Sequence, residues 1–426
     1  MAATKGHNFA EILLSGVGNS VGNAKEFFGK PMAKLAMIAP APVIETGNQV
    51  HLDVKFVEGM RVQQAFWPTR MTCLLRRGAR SIPFGRVYDR ADLPFDLILL
   101  DPDEPLHPGH LADQGLIYAG GDDSHCLQLP YILGPGQKIV YVIEYTHQTR
   151  NQILSLDRSR GLFRRIKGRV WLLQKEMLRR QAFKAADGLQ CNGYPAHDLY
   201  ASMCRDSLLD LDGRMTPDLF ATEAEMQARE AHRAQGGPLR LIYSGRLEPM
   251  KGAQDLVPVA RRLSERGVDF TLDVFGTGSL EGEIASGIAT LPDPGRVRLH
   301  RPVDFETGLV PFTRRNADIF LGCHRQSDPS CTYVEAMGCG VAVANYDNRM
   351  WQRLNAESHA GWGAPIGQPA ALADRIADVA RHPDQITRCS RNALSFARAH
   401  GFQAEFRRRM EHLARIGGVK LLPVAA

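Results

Sequence analysis

Ser327-Asp-Pro-Ser-Cys-Thr-Tyr-Val-Glu335-Ala-Met-Gly-Cys-Gly-Val-Ala-Val343 reads as a helix start held between two apolar runs, 319–323 before it and 341–345 after it. An apolar run, a helix and a second apolar run in succession mark a parallel α/β sheet. The start of such a helix leaves backbone N–H groups unpaired and carries a partial positive charge, which together suit a phosphate. Glu335 puts an acid on the same helix. Upstream, Ser244-Gly-Arg246-Leu-Glu-Pro-Met-Lys251-Gly252 places two cations at another strand-to-helix turn.

The alternation extends both ways. Residues 239–243, 270–275 and 297–300 are apolar enough for strands. Residues 253–266 and 280–288 have helical period, with Leu256, Val259, Ala260 and Leu263 on one face. Toward the amino terminus, Lys34-Leu-Ala-Met-Ile-Ala-Pro-Ala-Pro42 reads as a buried strand and a Pro-rich turn. Gly47-Asn48 lies in the loop after it, 54–60 reads as helix, and 71–75, 95–100, 138–143 and 188–191 read as strands. A polar, Gly-rich stretch at 212–237 separates two α/β halves. The expected layout is an extension at 1–34, a domain at 35–225, a linker at 226–238, a second domain at 239–398, and a basic helix at 399–426 able to pack back on the first domain.

Composition narrows the function. The 426 residues carry 52 Lys+Arg against 46 Asp+Glu, a formal charge of +6. That suits anionic substrates or an anionic membrane surface and is too mild to argue for nucleic acid. Eight cysteines lie scattered, with no CxxC pair and no zinc spacing; they read as reduced thiols of a cytoplasmic protein. No carboxylate cluster suits a divalent metal, and no apolar run approaches the ~18 residues that span a bilayer. Residues 1–34 are Gly/Ala/Asn-rich, with one apolar triplet, Ile12-Leu13-Leu14, and do not read as a signal peptide.

Four places carry candidate chemistry. Arg246 and Lys251 can neutralise a pyrophosphate and so stabilise it as a leaving group; the alternative is a surface loop with solvated charges. Phe275-Gly276-Thr-Gly278-Ser279 is either a phosphate loop or a tight turn. Glu335 either closes a Thr332-x-x-Glu335 capping box or accepts hydrogen bonds from ribose hydroxyls, and Asp328-Pro329 fits an N-cap followed by proline. Glu144 and His147 follow a strand and can orient a sugar or move a proton. In addition, 158–184 holds ten Lys/Arg and one acid, Glu176, with Phe163, Ile166, Trp171 and Leu172 as its apolar side. It reads as a helix that lays its apolar side on the core with the basic face in water, or as one that seeks anionic lipid.

In this order the motifs resemble the glycosyltransferase family 4 enzymes of the GT-B fold, most clearly over 239–348. The family's Gly-Arg-Leu-x-x-x-Lys-Gly is matched by Gly245, Arg246, Lys251 and Gly252, its Gly-x-Gly by Gly276 and Gly278, and its Glu-Ala-Met run by Glu335-Ala-Met, with Ala342 in place of the usual proline. The resemblance implies that Arg246 and Lys251 hold a donor diphosphate and that Glu335 binds the ribose. The family's earlier glutamate, which contacts the transferred sugar, falls on Ser327, so Asp328 is expected to substitute for it. Gly245, Gly276, Ser327, Cys331 and Thr332 complete the expected donor set. Ala185-Ala-Asp-Gly-Leu-Gln-Cys-Asn192 and Leu211-Asp-Gly-Arg-Met-Thr-Pro-Asp-Leu-Phe220 look like two segments of the family's first domain. Its strand-end histidine falls nearest Glu144, which is grouped with Arg246 and Lys251 as catalytic. Gly47, Asn48 and His147 are expected on the acceptor side.

The resemblance implies two Rossmann-like domains facing each other across a cleft, retention of configuration, no obligatory metal or cofactor, and a UDP- or GDP-sugar donor. The acceptor would be a hydroxyl of a glycan, lipid or small molecule. Location would be cytoplasmic, with peripheral contact at the inner membrane face through 158–184 as an extension of that reading. Two rivals stay open: a GT-B nucleotide-sugar epimerase, which consumes donor without acceptor, and a degenerate nucleotide-binding module, which turns nothing over.

Overall fold

The computed structural model describes residues 34–78, 81–82, 85–156, 161–327, 329 and 331–423. They fall into two compact units. One holds the residues up to Tyr118 with Ile132–Lys138 and the residues from Met410 onward; the other holds Ala119–Tyr131 and Ile139–Arg409.

In the first unit, β1 (Leu35–Ile38) is buried along its whole length. The strands β2 (Ile44–Thr46) and β3 (Gln49–Asp53) form an antiparallel hairpin. Its turn is Gly47-Asn48, and Gly47 takes the left-handed φ of 60° that such a turn needs. Asp53 then caps α1 (Val54–Phe66), accepting from the backbone N–H of Lys55 at 2.8 Å and of Phe56 at 3.2 Å. Next come β4 (Thr72–Arg76), β5 (Gly85–Asp89), β6 (Asp96–Leu100) and β7 (Leu116–Gly120), the last two residues of which belong to the second unit. β4 pairs in parallel with β1 and β6, while β5 pairs antiparallel with β3. Buried on both faces, β1 and β4 are near-continuous apolar runs, which is why they were legible in the sequence.

The second unit opens with β8 (Lys138–Ile143), α2 (His147–Leu156), α3 (Leu162–Lys184), β9 (Gly188–Asn192), α4 (Tyr194–Tyr200) and β10 (Ser207–Asp210). β8, β9 and β10 pair in parallel. On α3 the arrangement is the inverse of a core-facing amphipathic helix. Glu176, Arg179, Ala182 and Phe183 are buried, while Phe163, Ile166, Val170, Trp171, Leu173, Met177 and Leu178 are exposed. The inward polar groups are satisfied. Tyr200 donates to Glu176 at 2.9 Å, and Arg179 Nε donates to the Gly121 carbonyl at 3.0 Å. The apolar side, expected on the core, is the side left in water.

Thr222 and Glu225 form a reciprocal capping box that starts α5 (Glu223–Ala234), so most of the stretch 226–238 is helix. Buried Arg229 on α5 donates to the carbonyls of Ala317 at 2.9 Å, Cys339 at 3.1 Å and Gly340 at 2.6 Å. Then follow β11 (Leu239–Ser244), α6 (Leu256–Glu265), β12 (Phe270–Phe275), α7 (Glu281–Ala289), β13 (Val297–His300), α8 (Val310–Asn316), β14 (Ile319–Leu321), α9 (Cys331–Gly338), β15 (Ala342–Tyr346), α10 (Arg349–Ser358), β16 (Gly361–Ala364), α11 (Pro369–Ala380), α12 (Pro383–Ala399) and α13 (Phe402–Gly417). The six strands are all parallel, in the order β13-β12-β11-β14-β15-β16. Leu256, Val259, Ala260 and Leu263 of α6 are buried in the core of this sheet; each Leu or Val so placed stabilises by about 1.5–3 kcal/mol. The strand order reverses between β11 and β14, and ligands of open α/β sheets bind at the carboxyl ends beside such a reversal.

Candidate active site

Arg246 and Lys251 sit at that reversal, just beyond β11. Tyr243 fixes their loop by donating to the Arg246 carbonyl at 2.9 Å. Gly252 has a φ of 69°, and a Cβ there would lie 1.7 Å from the Cys323 carbonyl oxygen, so glycine is obligatory. Gly276 and Gly278 answer to the same loop. A Cβ on Gly276 would meet the Gly245 carbonyl oxygen at 2.0 Å, and one on Gly278 the Leu247 carbonyl oxygen at 2.5 Å. The Gly-x-Gly thus lets two strand-end loops touch backbone to backbone. Leu247 N–H donates to Thr277 O at 2.9 Å, and Glu248 accepts from Ser279 N at 2.9 Å and Oγ at 2.6 Å. The Arg246 side chain projects from this braced loop into solvent. Lys251 is half-buried, near enough to Cys331 at the start of α9 for its charge to act on that thiol.

Glu335 lies within α9, nearly buried. The helix begins at Cys331, so Thr332 is inside it and the proposed capping box is not formed. The carboxylate is instead gripped by Arg214, whose Nε and Nη2 donate at 2.6 and 3.1 Å. Arg214 also lies over the Phe305 ring, 3.6 Å from its centroid. In the sequence Arg214 stands out only as part of the segment 211–220. Its partner is 121 positions away, and the one available signal was a charged residue after Asp212-Gly213.

Ser327 is nearly buried and all its polar groups are engaged. Its N–H donates to Gln152 at 3.2 Å, its carbonyl accepts from Thr149 Oγ1 at 2.9 Å, and its hydroxyl accepts from Arg349 N at 3.0 Å. The side chain at this position therefore holds the start of α10. Asp328, expected to act in its stead, lies outside the described residues.

Glu144 follows β8. Asp122 Oδ2 accepts from its backbone N–H at 2.8 Å, and Arg150 pairs with Asp122. The Glu144 carboxyl faces water on one side. Crowding by surrounding protein, then the charges of Asp122, Asp212 and Asp210, push it up to about 7 against the pull of Arg409. Surrounding protein likewise raises Asp212, which keeps one side open to water, and Glu335 adds to the effect. Glu144, Asp212, Arg214 and Glu335 thus form one electrostatic chain inside the second unit. His147 begins α2; its Nε2 lies 2.8 Å from Asn151 Nδ2, and its buried Nδ1 has no partner among the described residues. Gly47 and Asn48 belong to the hairpin of the first unit. Among the described residues, no group of three or more His, Cys, Asp or Glu could hold a metal ion.

Cations and a helix start at a sheet reversal, with an acid on that helix, suit a nucleoside diphosphate. Residues 225–396 match the family model described as glycosyl transferases group 1. The chain is a glycosyltransferase. This glycosyltransferase has the GT-B fold, with two Rossmann-like domains. It is similar to Anabaena Alr3699/HepE in complex with UDP, with 14% identity, 90% of this chain and 99% of that one covered, and a TM-score of 0.59. Sucrose-phosphate synthase from Thermosynechococcus elongatus gives 15%, 90%, 98% and 0.60. WaaG, a glycosyltransferase involved in lipopolysaccharide biosynthesis, gives 13%, 89%, 99% and 0.54. No curated protein matches the glycosyltransferase sequence.

Proposed function

We propose that this glycosyltransferase is a member of family 4 and moves a sugar from a nucleoside-diphosphate donor, UDP-sugar before GDP-sugar, to a hydroxyl with retention of configuration. The reading rests on the braced turn that carries Arg246 and Lys251 at the β11–β14 reversal. UDP has precedence because the similar fold of HepE is described in complex with it. Arg246, Lys251 and the start of α9 hold the diphosphate, and Glu335 reads the ribose. The bond from the anomeric carbon to the diphosphate oxygen breaks. The acceptor oxygen bonds to that carbon on the face the diphosphate leaves, and the acceptor proton passes to the departing phosphate oxygen. Charge developing on that oxygen is met by two cations carried on a braced turn, which lowers the barrier. Glu144, ionised above about pH 7, accepts a hydrogen bond from the acceptor hydroxyl and orients it. His147, three residues beyond Glu144, is assigned to the acceptor with it.

The test is a panel of UDP- and GDP-sugars scored for nucleotide release, with and without a cell extract as acceptor source. Release from one donor that depends on extract supports transfer. Conversion of a donor to an isomeric nucleotide sugar without any acceptor supports the epimerase, and neither release nor conversion of any donor supports the degenerate module.

A further inference from the structure

We propose that the exposed side of α3 docks on an anionic lipid bilayer. Of the twelve large apolar residues left exposed among the described residues, seven are on this one helix. Phe163 is 89% exposed, and the other six lie between 48% and 56%. At 3.6 residues per turn these seven span an arc of roughly 160°. Arg164, Lys167 and Lys175 lie within or along one edge of the arc, and Arg169 and Arg180 along the other. Lys175 also sits over Trp171, 5.8 Å from the ring centroid.

An apolar strip with cations along both edges and an indole in it is what a helix lying in the headgroup plane presents. The inward side explains why the helix cannot simply roll over. Glu176 and Arg179 are held by Tyr200 and the Gly121 carbonyl, and burying the strip instead would tear those charges from their partners. Charge also selects the occupant. Phe163, Ile166, Val170, Leu173 and Met177 follow 3-4-3-4 spacing, the seam of a coiled coil, but in a two-fold pair Lys167 and Arg169 would flank the seam with like charges. Glu176, the acid of the helix, is buried against Arg179, Arg180 and Tyr200; of the edge cations named, it pairs with Arg180 and leaves Arg164, Lys167, Arg169 and Lys175 to the outer face. A surface of negative headgroups over acyl chains satisfies both the cations and the strip.

The full chain is centrifuged with vesicles of phosphatidylcholine alone or with phosphatidylglycerol. At least tenfold more protein is expected on the anionic vesicles, with a blue shift in tryptophan emission that Trp171→Phe removes. Phe163→Ser/Ile166→Ser/Val170→Ser, and separately Arg164→Gln/Lys167→Gln/Arg169→Gln, should each lower partition at least tenfold with far-UV circular dichroism unchanged. Failure of the native chain to bind anionic vesicles overturns the proposal, as does binding that both variants retain. A native dimer lost in the apolar variant, capture of an acidic protein in preference to vesicles, or lipid binding that emerges only after removal of residues 1–33 gives the face another occupant and overturns it too. Partition needs no donor or acceptor, so its failure is separable from that of the transferase reading.

Discussion

The carboxyl ends of β11–β15 and those of β8–β10 are the two edges that carry the candidate residues, and they are built by opposite means. The first edge is a matter of backbone: Gly252, Gly276 and Gly278 allow loops to touch, and the loops then fix where Arg246 and Lys251 stand. The second is a matter of charge: Glu144, Asp210 and Asp212 gather where surrounding protein strips part of their hydration, which raises all three, although only Asp210 is buried outright. Steric necessity fixes a cation in place, whereas an acid with a pKa near neutrality needs neighbours from several elements.

The first edge breaks hardest under Arg246→Ala with Lys251→Ala. UDP affinity should fall at least ~100-fold by calorimetry, since each charge-assisted contact is worth about 1.5–3 kcal/mol; unchanged affinity in a folded double variant ends the donor assignment. On the second edge, Glu144→Gln should lower kcat by about 10- to 100-fold and remove a rise in kcat/KM with pH centred near 7. The same carboxyl makes a stability prediction. Its folded pKa lies above its ordinary 4.5, so the folded state binds the extra proton, and stability falls as pH rises through about 7. The melting temperature of Glu144→Gln should therefore gain on the native protein at pH 8 and not at pH 4.5. Joining the two edges is Arg214. Arg214→Met leaves Glu335 nearly buried and unpaired, and should weaken UDP binding by about tenfold; Arg214→Lys should not restore it, because the grip is bidentate. The smallest effect is expected from Ser327→Ala, about 1 kcal/mol of stability from the lost bond to Arg349, with UDP affinity unmoved. A large loss of affinity there would mean that Ser327 reads the donor after all.

Legibility in the sequence followed the same division. β11, β12, β14 and β15 are buried runs, and their turns carry the glycines that close approach demands, so 239–348 declared both fold and cations. The antiparallel β2-β3-β5 sheet passed unseen because its strands are short and partly exposed. Ser207–Asp210 and Gly361–Ala364 carry no strand signal because their composition is mixed. Glu144 was visible as a residue, but its neutral-range pKa comes from Asp122, Asp212 and Asp210, which no local pattern unites. On α3 the period was plain and the facing was not, since Glu176 and Arg179 find their partners at Tyr200 and Gly121.

The three carbonyls held by Arg229 have a consequence for how the polypeptide tolerates being cut. Gly236 is exposed, with Gly237 beside it, and a protease nick between them would sever covalent continuity just after α5. Arg229 would still clasp Ala317, Cys339 and Gly340, and Arg233 would still hold Asp318 at 2.6 Å. The two fragments should then migrate as one particle under native conditions and separate only in denaturant, as a hinge pin outlasts the leaf it was cut from.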